Sequence, residues 1–209
     1  MNGTLKKWEI ALMAAVVLAL LTGGWLEREQ AQLAGSVIRL HVLANSDSTE
    51  DQRLKLAVRD CILDRAKELY PQGADLPQAR QALKAALPEL ARAGEERVRE
   101  LGYSYPVEAR LEEAWFPTKK YEGFSLPAGR YEALRVLIGE GKGQNWWCVA
   151  FPPICLGAAS ETLEESVQAG CLTREQVDLI CETDRGYVMK FKSLELLGRL
   201  QRRLEALSG

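Results

Sequence analysis

The chain has 209 residues, of which 47% are apolar and 27% charged, a balance typical of a folded globular domain rather than a disordered segment. Its formal net charge is −2 and its isoelectric point is near 5.7. It therefore lacks the basic surplus with which a nucleic-acid-binding protein neutralises phosphates, and that class of function is excluded. The length predicts one ordinary domain with short additions at its ends.

The first 24 residues have the layout of an export signal. Two lysines give a positively charged start, residues 10–21 are apolar and uncharged, and small residues follow at 22–24. A spanning helix needs about 20 apolar residues, so this run is short for one, although Leu26 extends it. We therefore predict that residues 1–24 are a signal peptide or a signal-anchor helix, which contacts a membrane if it is not cleaved.

Four later segments have the composition of strands. Residues 36–45 and 105–112 alternate between apolar and polar positions, which is typical of strands, and the second of them has one solvent-facing side. Residues 129–138 and 145–151 are apolar at successive positions, so both of their faces are expected to be buried. This pattern predicts that the last two strands lie in the centre of a sheet.

Two amphipathic helices are predicted between the first and second strands. The first begins with a capping sequence at residues 47–51 and ends before Pro71. The second begins at Asp75 and ends at Gly102, and Pro88 is expected to kink or split it. Together these elements predict an α+β fold with a mixed, largely antiparallel sheet and amphipathic helices on one face, preceded by the N-terminal signal or anchor helix.

Residues 157–209 are predicted to form a helical C-terminal extension. Thr173 and Gln176 have the spacing of a capping box at the start of a helix, and residues 187–191 suggest a short strand. Leucines recur at helical spacing in residues 197–207, which predicts a final amphipathic helix that docks on the sheet. A membrane-surface role for this helix is the alternative.

The stretch GEGKGQNWWC, residues 139–148, has the glycines and lysine of a phosphate-binding loop. A Walker loop, however, requires Gly-Lys followed by Ser or Thr at the start of a helix, and this lysine precedes a glycine and a strand. The glycines instead permit the positive φ angles of a turn, so we predict that residues 139–144 form a hairpin between two adjacent strands.

A thiol hydrolase is one alternative function. Cys148 would be the nucleophile, His41 the base and Asn45 the orienting residue, which are the residue types of thiol catalysis. A cysteine within a strand lacks the helix N-terminus that lowers a thiol pKa, however, and a lone histidine is more often structural. We therefore predict no catalytic residues, and with one histidine and no Cys-x-x-Cys pair we predict no metal site and no cofactor.

Aromatic residues cluster around the predicted last strands. Trp146 and Trp147 are adjacent, so a strand directs them to opposite faces. One of them, with Trp115, Phe116 and Tyr121, is predicted to form an exposed aromatic patch of the kind enriched at protein interfaces. The alternative is that all of these rings belong to the core.

Two long strings carry a resemblance to a known family. IRLHVLANSDSTEDQRLKLAVRD and FPTKKYEGFSLPAGRYEALRVLIGEGKGQNWWCVAFPPIC, with the charged and apolar N-terminus, closely resemble the stage II sporulation protein R family. The resemblance covers residues 36–156, which we take as an α+β signalling domain. It implies export from the forespore into the space between the forespore and mother-cell membranes. There such a protein activates the membrane-embedded aspartic peptidase of the mother cell that processes the precursor of sigma factor E.

The same resemblance bears on the cysteines. All five follow the predicted signal, where disulfides persist, and the odd number leaves at least one thiol without an intrachain partner. Cys148 and Cys155 both lie in the family-like string, and we predict that they form a disulfide, with two buried thiols as the alternative. The resemblance implies a binding protein. The rival functions are the envelope hydrolase described above and a wall- or lipid-binding module.

Overall fold

The computed structural model describes residues 7–181 of the chain, except residues 72, 122–123, 154–162, 164–165 and 169. The predicted strand at 187–191, the final amphipathic helix and Cys155 therefore lie outside the described residues. The helices and strands are α1 (Lys7–Ala34), β1 (Ile38–Leu43), α2 (Thr49–Leu69), α3 (Leu76–Glu100), β2 (Val107–Phe116), β3 (Lys119–Lys120), β4 (Ser125–Leu126), β5 (Gly129–Ile138), β6 (Asn145–Phe151) and α4 (Arg174–Cys181).

Four strands form a mixed sheet in the order β2-β5-β1-β6. β1 is parallel to β5, whereas the β2–β5 and β1–β6 pairs are antiparallel, so the predicted largely antiparallel sheet is confirmed. The prediction that the last two strands are both central is right for β5 and wrong for β6, which is an edge strand of this sheet. β6 is apolar on both faces because a hydrophobic cluster covers each face, not because a strand lies on each side of it.

α2 and α3 pack side by side on one face of the sheet, as predicted. Leu40 and Val42 of β1 and Leu134 and Val136 of β5 direct their side chains to this face and are fully buried beneath the two helices. Ser48 caps α2 by accepting a hydrogen bond from the Asp51 N–H at 3.1 Å. The helical layer thus follows from period-two strands that face two capped amphipathic helices.

α3 begins with the predicted capping box, in which the Asp75 carboxylate accepts from Gln78 N–H and the Gln78 side chain accepts from Asp75 N–H. It ends where Gly102 takes a φ of 84°. The expectation that Pro88 splits this helix is wrong, since α3 runs through it without a break. Pro88 is exposed, so water can satisfy the carbonyl that loses its helical N–H partner.

The second face of the sheet is also covered, as the two-sided burial expected for residues 129–138 and 145–151 implies, but the elements that cover it were not predicted. A second cluster there combines Leu33 at the end of α1, Phe124 beside β4, and Ile180 of α4 with strand residues such as Tyr131 and Val149. α4 begins with the predicted capping box, in which Thr173 and Gln176 exchange side-chain and backbone hydrogen bonds. The sheet is therefore the middle layer of the domain.

The N-terminal part of α1 exposes a continuous set of apolar side chains. Among the residues that the structure describes, none of the helices has both the length and the hydropathy of a membrane span. The signal or anchor role of residues 1–24 stays a prediction. The apolar side chains of α1 that are more than half exposed are Trp8, Ile10, Leu12, Met13, Val16, Val17 and Leu18.

The glycine-rich loop at residues 139–144 does not form the predicted hairpin. β5 and β6 are not neighbours, because β1 lies between them, and the loop crosses over the end of β1 to connect them. Gly143 N–H donates to the Ala44 carbonyl at 2.9 Å during this crossing. A Cβ on Gly143 would lie 2.2 Å from the Ser46 carbonyl oxygen. Gly143 is needed because two pieces of backbone pass so closely, whereas Gly139 and Gly141 have the predicted positive φ angles of 59° and 62°.

Candidate functional site

A groove of about 460 Å³ lies beside β6, between the first turns of α2 and the short strand β3. We call it the edge groove. Its walls combine aromatic, amide and lysine side chains, and none of the lining residues that the structure describes is a carboxylate. The lining residues are Gln52, Lys55, Leu56, Lys119, Lys120, Tyr121, Gln144, Asn145, Trp146 and Trp147.

The two tryptophans of the edge groove lie on opposite faces of β6, as the strand pattern predicts. Trp147 stacks on His41 with ring centroids 3.9 Å apart and meets Phe116 edge to face at 4.8 Å. Trp146 lies on the helical side, where the Arg59 guanidinium sits 4.4 Å above its ring. Both tryptophans remain half-buried, so each presents part of its ring to the groove.

Arg39 supports the aromatic residues from beneath. It is fully buried, and its guanidinium lies 4.4 Å from the ring centroid of Phe116 and 5.0 Å from that of Tyr131. Its Nη2 donates to the Tyr121 hydroxyl at 2.8 Å, and that hydroxyl donates to the Trp147 carbonyl at 3.2 Å. Arg39 thereby fixes the wall of the groove that Tyr121 and Trp147 form.

Only some residues of the predicted aromatic patch lie together at the surface. Phe116 is fully buried and is therefore no surface residue, because β2 directs it to the second face, where it packs on Tyr131 and Trp147. Trp115, its neighbour, is half-buried and does not line the edge groove. Tyr121, Trp146 and Trp147 do converge on the groove, and their role as a partner surface stays a prediction.

Three lysines of the edge groove were missed by sequence reasoning. Lys55 belongs to α2, whereas Lys119 and Lys120 form β3, and about 65 residues separate them along the chain. Lys55 is buried, and its ammonium donates to Gln52 Oε1 at 2.6 Å and to the Gln144 carbonyl at 3.0 Å. Burial lowers the pKa of Lys55. The paired lysines at 119–120 were a visible signal, but nothing in the sequence placed them beside α2.

The proposed Cys/His hydrolase site is wrong. In the β1–β6 register, His41 is opposite Trp147 and Cys148 is opposite Leu40, so the two side chains point to opposite faces of the sheet. Asn45 instead donates to the Asp51 carboxylate at 2.9 Å and accepts from Glu140 N–H. No thiol proton can reach His41 from Cys148, which is disulfide-bonded.

The described cysteines and the described residues that could bind a metal do not form a reactive centre. Cys61 and Cys171, reduced like Cys181, are half-buried, and burial raises the pKa of both thiols. Cys155, the predicted partner of Cys148, lies outside the described residues, so this pairing stays a prediction. Within the described part of the chain, no group of three His, Cys, Asp or Glu side chains could hold a metal ion.

His41 makes the stability of the domain dependent on pH. Burial lowers its pKa from 6.5 to about 4, although the hydrogen bond at 2.6 Å to Asn145 Oδ1 favours the charged form. Because the unfolded chain then binds a proton more readily than the folded one, stability is lost as pH falls from 7 towards 4. Urea unfolding should give a free energy of unfolding about 2 kcal/mol lower at pH 5 than at pH 7.

The matched variant is His41→Gln, which has no titrating ring. We expect its unfolding free energy to change little over the same range, because most carboxylates titrate below pH 5. An equally large drop in this variant would assign the pH dependence to other groups.

Known proteins with similar sequences identify the family of this chain. The family model described as Stage II sporulation protein R matches residues 34–161. A curated Stage II sporulation protein R of Bacillus subtilis (strain 168) is 36% identical over 129 residues, which are 62% of this chain and 58% of the relative's length. No solved structure matches the chain. The chain belongs to the stage II sporulation protein R family.

Proposed function

We propose that this chain is an exported sporulation signal that activates the membrane-embedded aspartic peptidase of the mother cell, which processes the precursor of sigma factor E. Membership of the family supports a sporulation role. The absence of a working thiol site among residues 41, 45 and 148 supports action by binding rather than by chemistry. The site of action we propose is the space between the forespore and mother-cell membranes.

The edge groove is the observation that most directly supports a binding role for this chain. Partly exposed tryptophan and tyrosine rings are among the residue types that dominate the energetics of protein interfaces. Arg39 and His41 hold Tyr121 and Trp147 in place from the buried side, so the groove is formed before a partner arrives. A preformed groove loses little conformational freedom on binding, which favours a binding role.

A membrane contact by the N-terminal segment is the second part of the proposal. Exposed apolar side chains in the first turns of α1, including Trp8 and Leu12, are what a segment that inserts into a bilayer presents. Whether this segment is cleaved or retained, export would place the edge groove on the same side of the membrane as the extracytoplasmic parts of the peptidase.

Reconstitution tests the proposal. The chain, the peptidase and the sigma-factor precursor are co-expressed in a host that does not sporulate, with the chain exported, and precursor processing is followed by immunoblot. We expect processing only when all three proteins are present. Trp146→Ala should weaken activation by about 2 kcal/mol, seen as a roughly thirtyfold shift in the amount of chain required, because it removes a half-buried ring from the groove.

Trp115→Ala is the matched control, since Trp115 is also half-buried but does not line the groove. It should activate like the unchanged chain once circular dichroism shows that both variants are folded. Equal loss in the two variants, or processing that does not need the chain, would refute the proposed function.

A further inference from the structure

We infer that the edge groove binds a short acidic segment of polypeptide, in which carboxylates meet the three lysines and an apolar side chain lies against Trp146 and Leu56. The identity of the partner, the extracytoplasmic part of the peptidase, rests on the proposed function. The chemistry of the ligand rests on the groove alone.

Charge is the first argument for an acidic ligand. The chain as a whole has a formal net charge of −2, yet Lys55, Lys119 and Lys120 line one groove in which no described lining residue is a carboxylate. None of the three forms an ion pair with another described residue. The groove is thus a local positive surface on an acidic protein, which attracts and orients a negatively charged partner.

A second groove, in which the charges are paired, has no comparable preference for an acidic ligand. It has a volume of about 310 Å³, lies between α2 and α3, and is lined by side chains of both signs. Within it Arg65 pairs with Glu68 at 2.9 Å and Arg97 pairs with Glu100 at 2.9 Å. Those charges already have partners, whereas the lysines of the edge groove form no ion pair with any residue that the structure describes.

Lys55 is the second argument, because it is buried and forms no ion pair with a carboxylate of the described residues. Its ammonium is held by neutral oxygens of Gln52 and Gln144. The carboxylate of Asp47, which acts on it only at a distance, accepts from Gln144 N–H at 2.7 Å. Keeping a cation in a buried position without a carboxylate is costly, and a ligand carboxylate in the groove would offset that cost.

Two backbone groups of the groove indicate how the ligand is recognised. The carbonyl of Gln144 accepts from Lys55, and the carbonyl of Trp147 accepts from the Tyr121 hydroxyl. Since the Trp147 carbonyl on β6 is already engaged, addition of a strand to β6 is disfavoured there, and side-chain contacts to the lysines and tryptophans provide the specificity. The volume of about 460 Å³ lies in the range that holds a short peptide segment or a small ligand.

The test uses the full chain and labelled 12-residue peptides that overlap along the extracytoplasmic loops of the peptidase. Each acidic peptide has a counterpart in which Asp and Glu are replaced by Asn and Gln, and binding is measured by fluorescence anisotropy. We expect at least one acidic peptide to bind and its neutral counterpart to bind at least tenfold more weakly. The Lys119→Gln/Lys120→Gln variant should weaken binding by about tenfold, since each ion pair is partly exposed.

Lys67→Gln/Lys84→Gln is the matched control, because it removes the same charge from exposed positions on α2 and α3. It should bind the acidic peptide within twofold of the unchanged chain. Equal binding of acidic and neutral peptides, an equal loss in the control variant, or binding of none of the peptides would overturn the inference.

A membrane is the alternative source of negative charge. Vesicles of phosphatidylcholine with about one third phosphatidylglycerol provide that arm of the test. If the Lys119→Gln/Lys120→Gln variant loses vesicle binding but keeps peptide binding, the lysines serve a lipid surface and the inference is overturned.

The processing assay separates this inference from the proposed function. If no acidic peptide binds and the Lys119→Gln/Lys120→Gln variant still activates processing, the inference fails and the proposed function stands. If acidic peptides bind but the chain never activates processing, the groove chemistry stands and the proposed function fails.

Discussion

Replacing Gly143 with alanine is expected to lower the free energy of unfolding by about 4 kcal/mol, near the upper limit for a single substitution. The added Cβ would lie 2.2 Å from the Ser46 carbonyl oxygen and 2.9 Å from Ala44 Cβ. Because the first of these atoms belongs to the backbone, relief requires the loop to move away from the end of β1. That movement breaks the hydrogen bond from Gly143 N–H to the Ala44 carbonyl.

Denaturant unfolding followed by circular dichroism measures this effect. Lys142→Ala is the control, since its side chain is exposed in the same loop and pairs only with exposed Glu140. That variant should change the unfolding free energy by less than about 0.5 kcal/mol. A loss at Gly143 no larger than at Lys142 would mean that the loop does not cross the strand end so closely.

Replacing Arg39 with alanine is the second large expected effect, a loss of about 4 kcal/mol, because it opens a cavity beneath Phe116 and Tyr131. The guanidinium also donates to the Cys148 carbonyl at 3.0 Å and to the Tyr121 hydroxyl, and these acceptors would lose a donor. Unfolding in urea, with near-ultraviolet circular dichroism to follow the aromatic rings, provides the measurement.

Arg39→Met separates packing from charge. Methionine fills much of the same space, and no carboxylate depends on Arg39 for an ion pair among the described residues. One guanidinium nitrogen, Nη1, is buried without a hydrogen-bond partner among the described residues, so its removal breaks no hydrogen bond there. We therefore expect Arg39→Met to lose less than half as much stability as Arg39→Ala. Equal losses would show that the cation–π contacts and hydrogen bonds of the guanidinium, not the packed volume, hold this face together.

Local patterns predicted most of the elements of this fold. The bounds 129–138 and 145–151 agree with β5 and β6, and the capping residues Ser48, Asp75 and Thr173 all begin helices. These features depend on residues close together in the chain. Hydrophobic period and capping chemistry are therefore enough to locate them.

The order of the strands did not follow from local pattern. A glycine-rich loop can join two adjacent strands as a hairpin, or it can join two strands that have a third strand between them. Its sequence does not distinguish these two cases. The parallel pairing of β1 with β5 settles the matter, and it joins strands that α2, α3 and the strands β2 to β4 separate along the chain. For the same reason, local patterns do not indicate that β6 lies at an edge.

The candidate site was predicted only in part. Tyr121, Trp146 and Trp147 were selected because aromatic residues stand out in a sequence, and they do line one groove. The lysines of that groove come from two distant segments and were missed. Phe116 was placed in the aromatic patch with its neighbours, because the strand predicted at 105–112 ends before it and gives its side chain no direction. Its inward direction became clear only once the register of β2 with β5 was known.

Purified full chain added to membranes that contain the peptidase and the sigma-factor precursor would test most directly whether the chain acts by binding. The amount of processing is measured as the ratio of chain to peptidase increases. A protein that activates by occupying a site should give processing that saturates near one chain per peptidase and stops when the chain is washed away. Full processing at a hundredfold lower ratio, or processing that continues after removal of the chain, would show that the chain acts by turnover and would contradict the account.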